Sequence, residues 1–408
     1  MRKAQKVTLT VTGLMMLAGL IAYVYQYKEG LIVTNMANSY SWGLYVSGLA
    51  FFVGNAAGGL VLSSLIYLFG VKSLKPFAKL GALAAFANVT AAMLSILPDI
   101  GQPLRLLNMA LHPQFMSPLV WDVAVLNLYA MLSLIYLYIL MLPELKGPLA
   151  RIAIKVDDPE AFSEKWAKRL APFSLLAAIG IHVITAWIFS TQGAREWWNT
   201  AILAPDFVAV AMASGTAVVF MASIFAYGAR EEYQPAYRIM ALIMAIATFV
   251  HIFFMYNDFF IHIWYGNRES LDVLAITLKR YAVTHAFEVL APLIAVILLL
   301  NKKVRQSAFA VVACCTLLVL GVFTHRYLLM PAAFERVPLT LHPLGIQNGE
   351  WSAPIASGRY SPHGDTFVTQ WDYFPSGIEF AVFLGGVAFV CFLLIVAIRI
   401  LPIIKEAK

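Results

Sequence analysis

Ten stretches of this 408-residue chain are long and apolar enough to cross a bilayer, and no other feature of the sequence constrains its fold as tightly. They cover 7–27, 42–69, 78–98, 119–142, 172–190, 204–227, 236–260, 283–300, 308–330 and 376–401. A hydrocarbon core of about 30 Å takes about twenty residues of helix to span. Inside it every backbone polar group needs an internal partner, which leaves helices or closed barrels. A barrel would show alternating segments of about ten residues, whereas these runs are continuous. The chain is therefore expected to be an all-α integral membrane protein with ten transmembrane helices. Arg2, Lys3 and Lys6 precede the first run as they would in a signal peptide. No small-residue cleavage site follows and nine similar runs do, so the first run is expected to be a retained span.

The charges test this assignment. Counted by alternate loops, twenty Lys and Arg fall on the side of the two termini and nine on the other. The positive-inside rule then places both termini in the cytoplasm. In such a chain a net charge of +7 marks loops rather than a nucleic-acid surface. Two segments on the outer side stand out. Residues 99–118 have the pattern of a short interfacial helix, and residues 331–375 form a long loop whose Trp351, Tyr360, Trp371 and Tyr373 suggest a lid or docking surface.

A faint repeat relates the segment from Phe52 to Ser64 in the second run to that from Val208 in the sixth, both rich in small residues that let helix backbones approach. It predicts two four-helix bundles with two peripheral helices. The expected division is 1–41 for the first helix and its outer loop, 42–190 and 191–330 for the bundles, 331–375 for the outer loop and 376–408 for the last helix.

A charge within a span costs about 2.5–3.5 kcal/mol on insertion scales, so each one asks for a reason. Asp99, Asp122, Asp206, Asp258, Glu288 and Glu379 all fall at the outer ends of the runs. His285 and Glu288 are three residues apart, on one helical face, and His251 and Asp258 are seven apart, again on one face. His262 lies just beyond, His325 is near the outer end of the ninth run, and His182 is near the middle of the fifth. Any one of these can be a structural hydrogen-bonding group. Together they suggest a site that handles protons near the outer surface, a task that suits histidine with its ordinary pKa of about 6.5. A haem between helices would need two histidines at matched depth, and no such pair stands out. A secondary transporter would place its ligands near the midplane. The three cysteines, Cys314, Cys315 and Cys391, all lie in apolar runs and are too few for an iron–sulfur cluster, which usually takes four thiolates.

Several motifs carry a family resemblance. Ser41-Trp-Gly-Leu-Tyr-Val and the glycine-rich segment from Phe51 to Gly59 resemble the first bundle helix of the polysulfide reductase membrane-subunit family, the NrfD/PsrC-like proteins. Asp99-Ile-Gly-Gln-Pro-Leu-Arg, then Asn108, His112-Pro and Ser117-Pro-Leu-Val-Trp-Asp, resemble that family's D-x-G-x-P-x-R and SP-x-x-W-D signature. Gln102 departs from it, standing where the family more often has Arg. Ile181-His-Val-Ile-Thr-Ala-Trp and Trp197-Trp-Asn-Thr-Ala resemble the ten-helix branch, particularly the membrane subunit of the sulfite-reductase-associated Dsr complex.

The resemblance implies a multi-pass subunit of a prokaryotic cytoplasmic membrane that exchanges electrons with menaquinone or another quinone. It implies no haem or iron–sulfur cluster in this chain, and an iron–sulfur, ferredoxin-like partner on the outer face, with a molybdoenzyme or cytochrome subunit beyond it. Carried over by position, Asp99, Asp122 and His182 would be the catalytic groups, with Arg105 and Trp121 bordering the quinone headgroup. Tyr45, Ser47 and Asn55 would be wall residues. Asp206, His251, Asp258, His285 and Glu288 would form a matching proton-transfer cavity in the second bundle. A haem-b electron-transfer anchor and a secondary transporter are the alternatives at this point.

Overall fold

A computed structural model describes residues 3–38, 40–195, 197–266, 268–336, 340–341, 351–352, 355–356, 367–368 and 373–404. Tyr360 and Trp371 lie outside the described residues, as do residues 357–366 of the expected lid. Ten helices are long and apolar enough to cross a membrane. We number them α1 (Lys3–Glu29), α2 (Leu44–Tyr67), α3 (Ala78–Ile96), α4 (Pro118–Met141), α5 (Pro159–Ser190), α6 (Leu203–Tyr227), α7 (Gln234–Tyr265), α8 (Ala282–Leu300), α9 (Ala308–Phe334) and α10 (Gly377–Ile400). Four two-residue strands pair antiparallel in the outer loop: Thr340–Leu341 with Trp351–Ser352, and Ile355–Ala356 with Phe367–Val368.

Eight of the ten helices lie within four residues of their apolar runs at both termini, and the two departures are informative. α5 begins at Pro159 rather than 172. Its first three turns carry Glu160, Glu164, Lys165, Lys168 and Arg169, which lower the hydropathy without lowering helix propensity. Asp158 caps it by accepting from the Ala161 N–H at 3.0 Å, and a proline occupies the first turn, where no donor is needed. The extension puts His182 eight residues from the C-terminal end of a 32-residue helix instead of at its middle. α7 likewise continues to Tyr265, past the run that stops at 260, and ends on Gly266 in a left-handed conformation.

The expected pair of four-helix bundles is present. α2, α3, α4 and α5 pack in a ring, as do α6, α7, α8 and α9, and the rings meet chiefly through α2 and α6. α1 and α10 pair with each other outside the rings, and α10 rests on α3. Burial ranks the helices accordingly: 94% of the most apolar window of α2 and 83% of that of α6 are buried, against 17% in α1. Small residues make the central packing possible. A Cβ on Gly58 would lie 2.0 Å from the Gly215 carbonyl carbon of α6, and one on Gly59 would lie 1.9 Å from the Gly81 oxygen of α3. α2 therefore touches both neighbours backbone to backbone, as small-residue interfaces in lipid do.

Hydrogen bonds tie the two ends of the molecule. At the end bearing the termini, Lys79 Nζ donates to Pro402 O at 2.8 Å and Tyr227 OH to Pro76 O at 3.0 Å. At the opposite end Glu379, in a capping box with Ser376, accepts from Asn35 N at 3.0 Å and from Tyr373 OH at 2.5 Å. Tyr373 OH in turn accepts from Leu44 N at 2.8 Å. The segment between α3 and α4 forms the short helix Leu106–Leu111 and leaves Leu104, Leu107, Leu111, Phe115 and Met116 exposed.

Candidate functional site

Every buried carboxylate among the described residues, namely Asp122, Asp206, Glu288, Glu335 and Glu379, lies at the end opposite the termini. Three groupings arise there.

The first is in the second ring. Asp206 is in the opening turn of α6, and its three neighbours each bring a partner to the same depth. His251 of α7 sets Nδ1 2.6 Å from Asp206 Oδ1. His325 of α9 brings Nε2 to 3.2 Å from Asp206 Oδ2 and Nδ1 to 2.5 Å from Glu288 Oε1. Glu288 of α8 holds His285 Nδ1 at 2.9 Å from its other oxygen. The result is a continuous chain of alternating imidazoles and carboxylates: His251, Asp206, His325, Glu288, His285. All five are buried. Charges in hydrocarbon need compensation, and Arg326, next in sequence to His325, supplies a fixed one. Its guanidinium lies 3.6 Å over the Phe207 ring, with Nη2 3.4 Å from Phe207 O and with Nε and Nη1 unbonded. A cavity of about 40 Å³ borders the chain, lined by Thr200, Asp206, Asp258 and His325 among apolar neighbours. A water needs roughly 10–15 Å³ by this measure, so the cavity admits a few. Asp258, expected to share a face with His251, is in the lining of the same cavity, where it accepts from Thr200 Oγ1 at 2.7 Å.

The second grouping is in the first ring. Asp122, in the opening turn of α4, accepts from Thr185 Oγ1 of α5 at 2.6 Å. His182, one turn before Thr185, faces two carbonyls, with Nδ1 2.6 Å from Ala178 O and Nε2 3.1 Å from Val53 O of α2. A neutral ring can donate to only one of them, so its proton has two competing positions. Asn55 is buried nearby on α2 with Oδ1 unbonded, and Ser47 donates to Gly43 O at 3.1 Å.

No sequence signal marks the third grouping as a unit. α1, α2, α3 and α10 enclose an apolar cavity of about 220 Å³ that includes Tyr45, Phe52, Ser95, Pro98 and Phe383 in its lining. At its head Tyr45 OH makes a short bond to Gln26 Oε1, while Gln26 Nε2 donates to Pro98 O at 2.8 Å. Asp99 follows directly, three residues beyond α3, with Oδ1 buried and unpartnered. Burial, and after it the charge of Glu379, raises its pKa from 3.8 to about 7.

Thus the structure brings Asp206, His251, His285 and Glu288 together, sets Asp258 in the lining of the cavity beside them, joins Asp122 to Thr185 beside His182, and leaves Asp99 close enough for its charge to act on Tyr45. Arg105 is exposed. Trp121 is also at the surface, donating to Phe115 O at 2.7 Å and packed edge-on against Trp187. Two participants escape a reading of the sequence. His325 is visible in it, but its bridging of two carboxylates from two other helices has no local signature. Arg326 counts there only as one of the outer-side positive charges, although a cation inside an apolar run is itself a signal.

Residues 32–338 match the family described as polysulphide reductase, NrfD. The chain belongs to the NrfD family. Among curated relatives of this NrfD protein, a putative dimethyl sulfoxide reductase membrane subunit of Halobacterium salinarum is 29% identical, over 98% of this chain and 92% of its own length. A selenate reductase subunit of Mesobacillus selenatarsenatis is 22% identical, over 99% and 96%. An Hdr-like menaquinol oxidoreductase integral membrane subunit of Archaeoglobus fulgidus is 28% identical, over 56% and 53%. The family match begins after α1 and ends before α10, so the 220 Å³ cavity lies where the NrfD core meets its two flanking helices.

Proposed function

We propose that this NrfD protein is the quinone-reactive membrane subunit of a multi-subunit oxidoreductase, taking up its quinol in the cavity between α1, α2, α3 and α10. The observation that carries the proposal is that cavity: apolar walls, a volume of about 220 Å³, and Tyr45 in its lining, with Gln26 bonded to Tyr45 and to Pro98 behind the wall and Asp99 next in sequence to Pro98. A quinol is an amphipathic ring on a lipid tail, so it needs an apolar slot with a few placed polar groups. Bound there, it supplies two electrons and two protons.

The chain's own residues then have definite tasks. Tyr45 donates its proton to Gln26 Oε1, which leaves the phenolic oxygen able to accept from a ligand hydroxyl. Gln26 is itself fixed by Pro98 O, so the pair is oriented before a ligand arrives. Asp99, raised to about 7, can take a proton near neutral pH and pass it to water at the outer end. Phe52 and Phe383 flank the ring space. Three cysteines are fewer than the thiolates a cluster usually takes, so the electrons are assigned to an iron–sulfur partner docked on the outer face. The names of the dimethyl sulfoxide reductase, selenate reductase and menaquinol oxidoreductase relatives favour such a complex.

The test is turnover of a menaquinol analogue by the assembled complex. Tyr45→Phe and Asp99→Asn should each lower kcat/KM roughly tenfold, the loss of one hydrogen bond or proton acceptor in the transition state. Asp122→Asn should cost less. If instead Asp122→Asn abolishes turnover while Tyr45→Phe leaves it unchanged, the headgroup sits inside the first ring and the cavity assignment fails.

A further inference from the structure

We propose that Asp206, His251 and His325 form a binding site for a divalent first-row transition-metal ion of the zinc class. The proposal goes beyond the quinol site and does not depend on it.

The three side chains come from α6, α7 and α9 and offer one carboxylate oxygen and two imidazole nitrogens, all within 4.8 Å of one another. Ligands about 2.1 Å from a shared zinc ion lie at most about 4.2 Å apart. In a tetrahedral site the same ligands lie about 3.4 Å apart, so the longest side contracts by up to about 1.4 Å when the ion binds, which side-chain rotation can supply. Two histidines with one carboxylate is a set that zinc and ferrous iron both take, with the remaining positions left to water. The cavity of about 40 Å³ beside Asp206 and His325 provides space for that water.

Two features point to an ion rather than to a closed hydrogen-bond network. His325 Nε2 lies 3.2 Å from Asp206 Oδ2 and makes no well-formed hydrogen bond in its buried setting. It borders the cavity together with the carboxylates of Asp206 and Asp258. The other nitrogen of the same ring is held by Glu288 at 2.5 Å, and Glu288 is held by His285 at 2.9 Å. A ligating histidine whose far nitrogen is held by a carboxylate is the usual outer support of a metal site, because it fixes both tautomer and ring orientation. Charge agrees. Asp206 and Glu288 are two buried carboxylates close enough to act on Arg326, so with the three histidines neutral, as metal ligation requires of His251 and His325, one negative charge is left over. An ion would arrive past Asp258, whose side chain is 14% exposed and accepts from Thr200 on the cavity wall.

The probe is Co²⁺ added to the chelator-treated assembled protein carrying no histidine tag. One Co²⁺ per chain is expected, with visible absorption of a four- or five-coordinate ion, displaced by Zn²⁺. His251→Ala and His325→Ala should each weaken uptake at least tenfold, whereas His285→Gln, whose side chain hydrogen-bonds to Glu288 and is not one of the three ligands, should retain the spectrum. X-ray absorption of the Zn²⁺-loaded wild type, which needs no variant to fold, should show two imidazole nitrogens. Substoichiometric uptake by the wild type, an all-oxygen shell, or unchanged spectra in the two alanine variants would each overturn the assignment. None of these readouts uses quinol turnover, so failure here leaves the function proposed above standing.

Discussion

Asp99 shows how one side chain couples location to titration. Its Oδ1 is buried without a partner, and its pKa is raised from 3.8 to about 7, first by burial and then by Glu379. A raised pKa means the folded state holds the proton more tightly than the unfolded chain does. The stability this contributes is complete below about pH 4 and is lost as pH rises through about 7. Asp99→Asn, a mimic of the protonated form, should therefore flatten that part of the pH profile of thermal unfolding in detergent; an unaltered profile would remove Asp99 as its cause. The position of Asp99 is legible in the sequence, because a carboxylate at the end of an apolar run has few bland explanations. Its company is not. Gln26 comes from α1 and Tyr45 from α2, and no spacing along the chain relates either to residue 99. The same limit applied to His325, whose two carboxylate partners come from α6 and α8.

At the scale of helices, hydropathy located all ten spans because lipid leaves a chain so few choices. It misplaced the start of α5 for an equally physical reason: a helix does not stop at the membrane surface, and the charged turns from Pro159 onward are helical without being apolar. The faint repeat between α2 and α6 has a structural counterpart in the contact of Gly58 with Gly215. That contact gives a sharp prediction. Gly58→Ala adds a Cβ that would lie 2.0 Å from a backbone carbon, so the two rings must separate locally. Overpacking of this kind costs about 1–3 kcal/mol, and a lowered thermal midpoint of the purified protein should show it. An unchanged midpoint would mean that α2 and α6 are not in backbone contact.

Across the described residues, the buried carboxylates gather at one end, while buried hydroxyls are found farther from it. There Ser64 donates to Leu60 O, Tyr129 to Ala56 O and Tyr227 to Pro76 O, so each already spends its proton on a backbone carbonyl. Proton exchange during quinol turnover is therefore expected on the outer side only. In proteoliposomes a pH dye on the side of the termini should stay silent, and uptake from that side would contradict the prediction. The cavity between α1 and α10 has one further consequence, for biogenesis. A ribosome delivers α1 first and α10 last, after more than three hundred intervening residues. A nascent chain halted before Gly377 would have threaded nine helices and still present an open furrow to lipid. The slot closes only once α10 has been made, so a subunit halted before it would carry its buried chain of histidines and carboxylates but lack the proposed quinol site.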